Sequence, residues 1–236
     1  AVREWVKETL AQGVTFPVME APAPEQADTP VDAAPALEQT KAENFHITDT
    51  DLGVGGPKAK YQANVSAIRL LKQLETENRA ATSEEQDTLS RYVGWGGIPQ
   101  AFESTNERWS AEYAELKDLL TPEEYDAARS STLNAHYTAP VIIQSMYEAV
   151  GKMGIEPKTI LEPAMGVGNF FGLLPEQMQN ASLYGVELDS ITGRIAKQLY
   201  PDAHITVDGF ERVNFADNRF DLAVGNVPFG NYQLAD

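Results

Sequence analysis

With 236 residues, 42% of them hydrophobic, the chain is long enough for one ordinary domain plus extra material, or for two small domains. It contains no cysteine, which excludes a disulfide framework and thiolate metal sites; His46, His136 and His204 lack ligand spacing, so no metal is expected. The formal net charge of −17 is opposite in sign to what a phosphate-neutralising surface needs, so any grip on nucleic acid is expected from segments or partners outside this sequence. No apolar run is long enough to cross a bilayer and no signal-peptide pattern opens the chain, so a cytoplasmic protein without membrane contact is expected.

Residues 1–20 read as a short amphipathic helix with Trp5, Val6 and Leu10 on one side, the tail of an upstream region. Residues 21–44 are rich in Ala, Pro and Glu without apolar periodicity, as in a disordered linker. From Phe45 the texture changes, and residues 45–132 read as a helical subdomain. After a glycine-rich loop, Val65, Ile68, Leu71 and Leu74 recur at helical spacing behind a candidate cap at Asn64. Thr82-Ser83-Glu84-Glu85 is a capping-box pattern opening a helix through Leu89 and Val93, with Gly94-Trp95-Gly96-Gly97 as its stop. Thr121-Pro122-Glu123-Glu124 repeats the start signal.

Residues 133–236 alternate strands and helices. The strands expected are Thr159–Glu162, Leu183–Glu187, Ile205–Asp208 and Asp221–Asn226, and the best-defined helix is Ile191–Tyr200. Such alternation predicts an α/β fold with a parallel, doubly wound sheet. The first strand runs into Glu162-Pro163-Ala164-Met165-Gly166-Val167-Gly168, where glycines permit a tight turn close to a ligand. The third glycine, Gly172, falls one place late for the dinucleotide fingerprint, and an ordinary strand-to-helix turn accounts for the loop equally well. Glu187 ends the second strand, placed to accept hydrogen bonds from ribose hydroxyls or to stand as a solvated acid beside a helix. Together the two features point to a ligand with an adenosine moiety. In the last strand Asn226, followed by Val227, Pro228 and Phe229, suits a planar nitrogen substrate: an amide oxygen and a backbone carbonyl accept two N–H groups, and a ring stacks on the plane.

At this point the sequence resembles a known family. Asn226-Val227-Pro228-Phe229 is similar to the Asn-Pro-Pro-Tyr/Phe motif of S-adenosylmethionine-dependent amino-group methyltransferases, and Leu161–Asn169 resembles their cofactor loop. Tyr137-Thr138-Ala139-Pro140 resembles the Tyr-Thr-Pro-Pro segment that precedes this loop in N6-adenine DNA methyltransferases, in the order of the γ-type enzymes. Over about residues 45–236, Tyr92–Gly97, Leu133–Thr138 and Gly225–Gly230 resemble the methylase part of large methylase–SNF2-type helicase fusions of phages and conjugative elements, where valine after the asparagine is the usual form.

The resemblance implies a Rossmann-like methyltransferase fold, S-adenosylmethionine as cofactor and adenine N6 of DNA as target, in a mobile-element or restriction-modification setting. It assigns catalysis to Asn226, Val227, Pro228 and Phe229. It assigns the cofactor to Tyr137, Thr138, Glu162, Pro163, Ala164, Gly166, Gly168 and Glu187, with Asp208, Phe210 and Glu211 near its adenine. Which of Asp208 and Glu211 takes the adenine amino group stays open, and for Phe210 core packing is the commoner fate. The family sheet has seven strands, so this chain is expected to be a C-terminally incomplete fragment, inactive alone, that works with DNA through the remainder of a larger polypeptide. Methylation of protein glutamine or RNA amino groups, or a non-catalytic methylase-fold scaffold, are the alternatives.

Overall fold

The structure, a computed structural model, describes residues 43–49, 53–132 and 137–227. The helix expected over 1–20, most of the linker over 21–44, His136, Pro228 and Phe229 lie outside the described residues.

The first helix, α1 (Pro57–Glu77), starts with proline in its first turn, where the missing N–H costs nothing. Its face of Tyr61, Val65, Ile68, Leu71 and Leu74 is fully buried. Asn64 is therefore not a cap. It sits within the helix, and its side chain donates to the Gly94 carbonyl at 2.6 Å and accepts from the Val93 N–H at 2.9 Å. The next helix, α2 (Ser83–Ser90), opens on the expected capping box, with Thr82 and Glu85 bonding each other's backbone N–H. It stops at Ser90, earlier than the apolar spacing to Val93 suggests, because Tyr92–Gly97 turns inward around Trp95. The indole, 1% exposed, meets Tyr61, Tyr92 and Phe102 edge-on at 5.3–6.5 Å.

Helices α3 (Ser110–Leu119) and α4 (Pro122–Ser131) follow, the second on a capping box of Thr121 and Glu124. Burial acts to raise the Glu124 carboxyl, but Lys72 of α1 at 2.8 Å and an arginine farther along, Arg194 at 2.7 Å, bring it down to about 2. Glu124 thus joins the helices to the α/β part.

That part begins with α5 (Pro140–Lys152) and continues as β1 (Thr159–Glu162), α6 (Asn169–Gly172), β2 (Ser182–Glu187), α7 (Ser190–Leu199), β3 (His204–Val207) and β4 (Leu222–Ala223). The strands form one parallel sheet in the order β3-β2-β1-β4, compatible with a Rossmann-like fold. Helix α7 packs on β2 and β3 through Ile191, Ile195 and Leu199, while α1 and α2 cover it from outside. Helices and sheet share one hydrophobic core. The strand β4 is shorter than the expected Asp221–Asn226: past the Val224 N–H, which donates to the Leu161 carbonyl at 2.9 Å, no ladder bond to β1 continues among the described residues. At its start, Asp221 Oδ2 accepts from the N–H groups of Lys158 and Thr159 and from the Thr159 hydroxyl at 2.8–3.0 Å.

Among the described residues no helix is long and apolar enough to cross a membrane. Removing the amide that ties α1 to the Tyr92–Gly97 turn leaves two main-chain groups unpaired, each worth about 1–3 kcal/mol when buried. Asn64→Ala is expected to lose about 2–4 kcal/mol of unfolding free energy in urea, read by tryptophan fluorescence.

Candidate functional site

In a parallel sheet whose order reverses, the carboxyl ends of the strands on either side of the reversal diverge and leave a crevice. Here the reversal lies between β1 and β4, so the crevice is bounded by the loop after β1 and by Gly225–Val227. The two approach closely: a Cβ on Gly225 would lie 3.5 Å from both Glu162 Cγ and Pro163 Cδ.

The loop after β1 is shaped by Gly166 (φ +57°) and Gly168 (φ +86°), both in the left-handed region. Any side chain at Gly168 would also collide with the Tyr200 ring, 2.5 Å from its Cβ position. The Tyr137 ring lies against Gly166, with Cε1 3.2 Å from where a Cβ would stand. Met165 is buried, and its N–H donates to the Val186 carbonyl at 3.0 Å, pinning the loop to β2.

Glu187 closes β2 with both carboxylate oxygens engaged. Oε2 accepts from the Gly166 N–H at 2.8 Å and Oε1 from the Asp189 N–H at 2.8 Å. Burial raises its carboxyl above the ordinary range, and these backbone donors partly oppose the shift. Glu162 is 2% exposed, and its Oε2 is buried without a hydrogen-bond partner. Burial first, and then the charge of Glu187, push its carboxyl well above the usual range. A buried carboxyl oxygen with nothing to bond is a group built for a ligand or for a proton.

Asp189, absent from the sequence reading as a working residue, is the N-cap of α7: its Oδ1 accepts from the Thr192 N–H at 2.8 Å and from the Thr192 hydroxyl at 2.6 Å. An acid directly before the Ser-Ile-Thr that opens a helix is a legible cap signal. At the end of β3 the two acids left as alternatives both pair with Arg212, Asp208 through Oδ1 and Glu211 at 3.0 Å. The Arg212 guanidinium, and then the Gly209 N–H, hold the Asp208 carboxyl below the ordinary range. Phe210 is 47% exposed and so is not the core residue that composition favours.

The sheet therefore brings Tyr137, Glu162, Pro163, Ala164, Gly166, Gly168 and Glu187 around one loop, with Asp208, Phe210 and Glu211 at the end of β3. Thr138 follows Tyr137 at intermediate exposure. Asn226 and Val227 are exposed at the mouth, past the end of β4.

Because the folded Glu162 carboxyl titrates above its unfolded value, the stability it contributes is complete below the ordinary carboxylate range and is lost as pH rises through the raised value. Relative to Glu162→Gln, the native chain is expected to lose stability progressively as pH rises above the ordinary carboxylate range, as measured by urea midpoints over a pH series.

No family model matches the chain, and no solved structure matches it significantly. It is similar to the Defense against restriction protein B of Escherichia phage P1, 26% identical over 175 residues, which are 73% of this chain and 6% of that protein. The Modification methylase CviBIII of Paramecium bursaria Chlorella virus NC1A is 31% identical over 71 residues, 30% of this chain and 19% of the methylase. The Type II methyltransferase M.CvrRI of Paramecium bursaria Chlorella virus XZ-6E is 31% identical over 93 residues, 39% of this chain and 24% of that enzyme. The chain thus spans a quarter or less of each of these relatives. Together they support a relation to DNA methyltransferases.

Proposed function

We propose that this chain is the cofactor-holding part of an S-adenosylmethionine-dependent methyltransferase acting on adenine N6 in DNA, carried within a larger polypeptide. The observation that carries the reading is the orphaned, buried Glu162 Oε2 beside Glu187 and the left-handed glycine turn, at the switch point of a parallel sheet. Similarity to viral DNA methyltransferases supports the choice of methyl transfer over other nucleotide chemistry.

The residues present fit the cofactor. Glu162 has an unpaired acceptor for an ammonium group, and the remaining lone pairs of Glu187 suit ribose hydroxyls. Gly166 and Gly168, with Pro163 and Ala164, would let the backbone approach, and Tyr137 and Thr138 would flank the methionine end. Phe210 would cover the adenine face, with Asp208 or Glu211 on its amino group. When bound, S-adenosylmethionine supplies an electrophilic methyl group on a positively charged sulfur.

The work of the chain itself is to prepare the nucleophile. An adenine amino nitrogen is weakly nucleophilic because its lone pair is delocalised into the ring. The Asn226 side-chain oxygen and the Val227 carbonyl would each accept one of its hydrogens and favour a localised pair. Val227 in place of proline leaves that carbonyl available and removes only stiffness. A duplex base must leave the stack to reach such a site, and Phe229 would stack on it. DNA would be gripped by parts of the larger polypeptide, since the net charge here is −17. That same charge favours a second reading, a methylase-fold module without activity.

Labelled methyl transfer to adenine-containing duplex DNA by the larger polypeptide tests the proposal. Asn226→Ala is expected to cut transfer by about 10²–10³-fold while cofactor affinity stays within about twofold of the native value. Glu187→Ala is expected to weaken cofactor binding by about tenfold or more, read by calorimetry. Cofactor binding without any transfer would favour the inactive module, label on protein or RNA would move the target, and no cofactor binding would overturn the reading.

A further inference from the structure

Two carboxyl groups meet at the crevice under opposite conditions. Glu162 ends β1 in register with Gly185 of β2, and Glu187 lies two residues farther along β2, so both side chains leave the sheet on one face. Glu187 accepts two backbone N–H groups, from Gly166 and from Asp189, each at 2.8 Å. Such donors favour an ionised carboxylate. Glu162 is 2% exposed, and its Oε2 has no donor at all.

The surroundings of Glu162 offer it no compensation. Besides Glu187, with Asp189 behind it, the titratable side chains that its charge reaches are Tyr147 on α5 and Tyr200 after α7. The Tyr147 hydroxyl donates to the Phe170 carbonyl at 2.9 Å, and the Tyr200 ring packs on Gly168. Helix α6 and the Gly225–Val227 segment carry no charged residue, and no lysine, arginine or histidine stands beside Glu162 among the described residues. A buried carboxylate with neither a donor nor a cation is unfavourable, and such a group keeps its proton instead. The raised carboxyl of Glu162 agrees in direction with this geometry.

We propose that Glu162 is the proton-exchanging acid of the site: its carboxyl is neutral in the free chain and gives up its proton to solvent when an ammonium group arrives at Oε2. The inference rests on the cofactor reading above, which puts the amino-acid end of the ligand at Glu162, and adds a change of protonation to it. Before binding, Glu187 is the ionised member of the pair. On binding, the O–H bond of Glu162 breaks, the proton passes to solvent, and an ammonium N–H donates to the carboxylate left behind. Glu187 serves the ribose through its lone pairs and exchanges no proton. Proton release on binding means that affinity rises with pH until Glu162 is ionised in the free chain as well.

Calorimetry of the 236-residue chain with S-adenosylhomocysteine, in buffers of different ionisation enthalpy, counts the protons released. Methylthioadenosine, which keeps the adenosine and the sulfur but lacks the ammonium, is the second probe. Just above the ordinary carboxylate range, S-adenosylhomocysteine is expected to release about one proton and to gain up to about tenfold in affinity per pH unit. Methylthioadenosine is expected to release none and to hold its affinity within about twofold over the same pH series. Glu162→Gln is expected to abolish the release by S-adenosylhomocysteine. Should that variant not fold, the contrast between the two probes on the native chain decides alone. Binding of S-adenosylhomocysteine without proton release, or equal release by both probes, overturns the exchange and leaves the cofactor reading intact. Failure of the native chain to bind either probe would instead sink the cofactor reading, and this inference with it.

Discussion

Two backbone N–H groups from different turns, those of Gly166 and Asp189, converge on the two oxygens of one largely buried carboxylate, Glu187. Each donor would otherwise be an unpaired group at the end of a strand, and the carboxylate would otherwise be a poorly solvated charge. Paired, they lock the loop after β1 to the loop after β2 at a fixed separation. The left-handed glycines, the Tyr137 ring on Gly166 and the cap of α7 all take their positions from that lock. Losing the Glu187 side chain would therefore release the loop.

The electrostatics of the crevice follow from the same arrangement. Glu162, Glu187 and Asp189 stand close together, and burial together with mutual repulsion raises the first two above the ordinary carboxylate range. Elsewhere the protein neutralises such acids with partners, as Arg79 does for Glu85 and as Lys72 and Arg194 do for Glu124. Glu162 and Glu187 have no such cation beside them among the described residues, so their raised carboxyls hold a proton more tightly than the matched acids do.

Much of this was legible in the sequence because it is written locally. The limits of β1 were read directly, β2 and β3 within one residue, and both capping boxes were visible as four-residue patterns. What escaped was tertiary. Asn64 looks like a cap because an asparagine before an apolar repeat usually is one, and the carbonyl it serves lies 30 residues away. The early stop of α2 depends on the burial of Trp95, which no local pattern reports. At the end of β3 the two acids are alike in sequence and share Arg212 in space, so neither level separates them.

Asp221 carries a consequence beyond its own hydrogen bonds. By collecting three donors from Lys158 and Thr159 it fixes where β4 begins relative to β1, in a strand whose ladder covers only Leu222 and Ala223. Asn226 comes five residues later, and each intervening residue advances the chain by about 3.3 Å. Asp221 is thus the zero mark of a ruler on which the amide is a fixed graduation. Inserting or deleting one residue would shift the amide relative to the loop after β1.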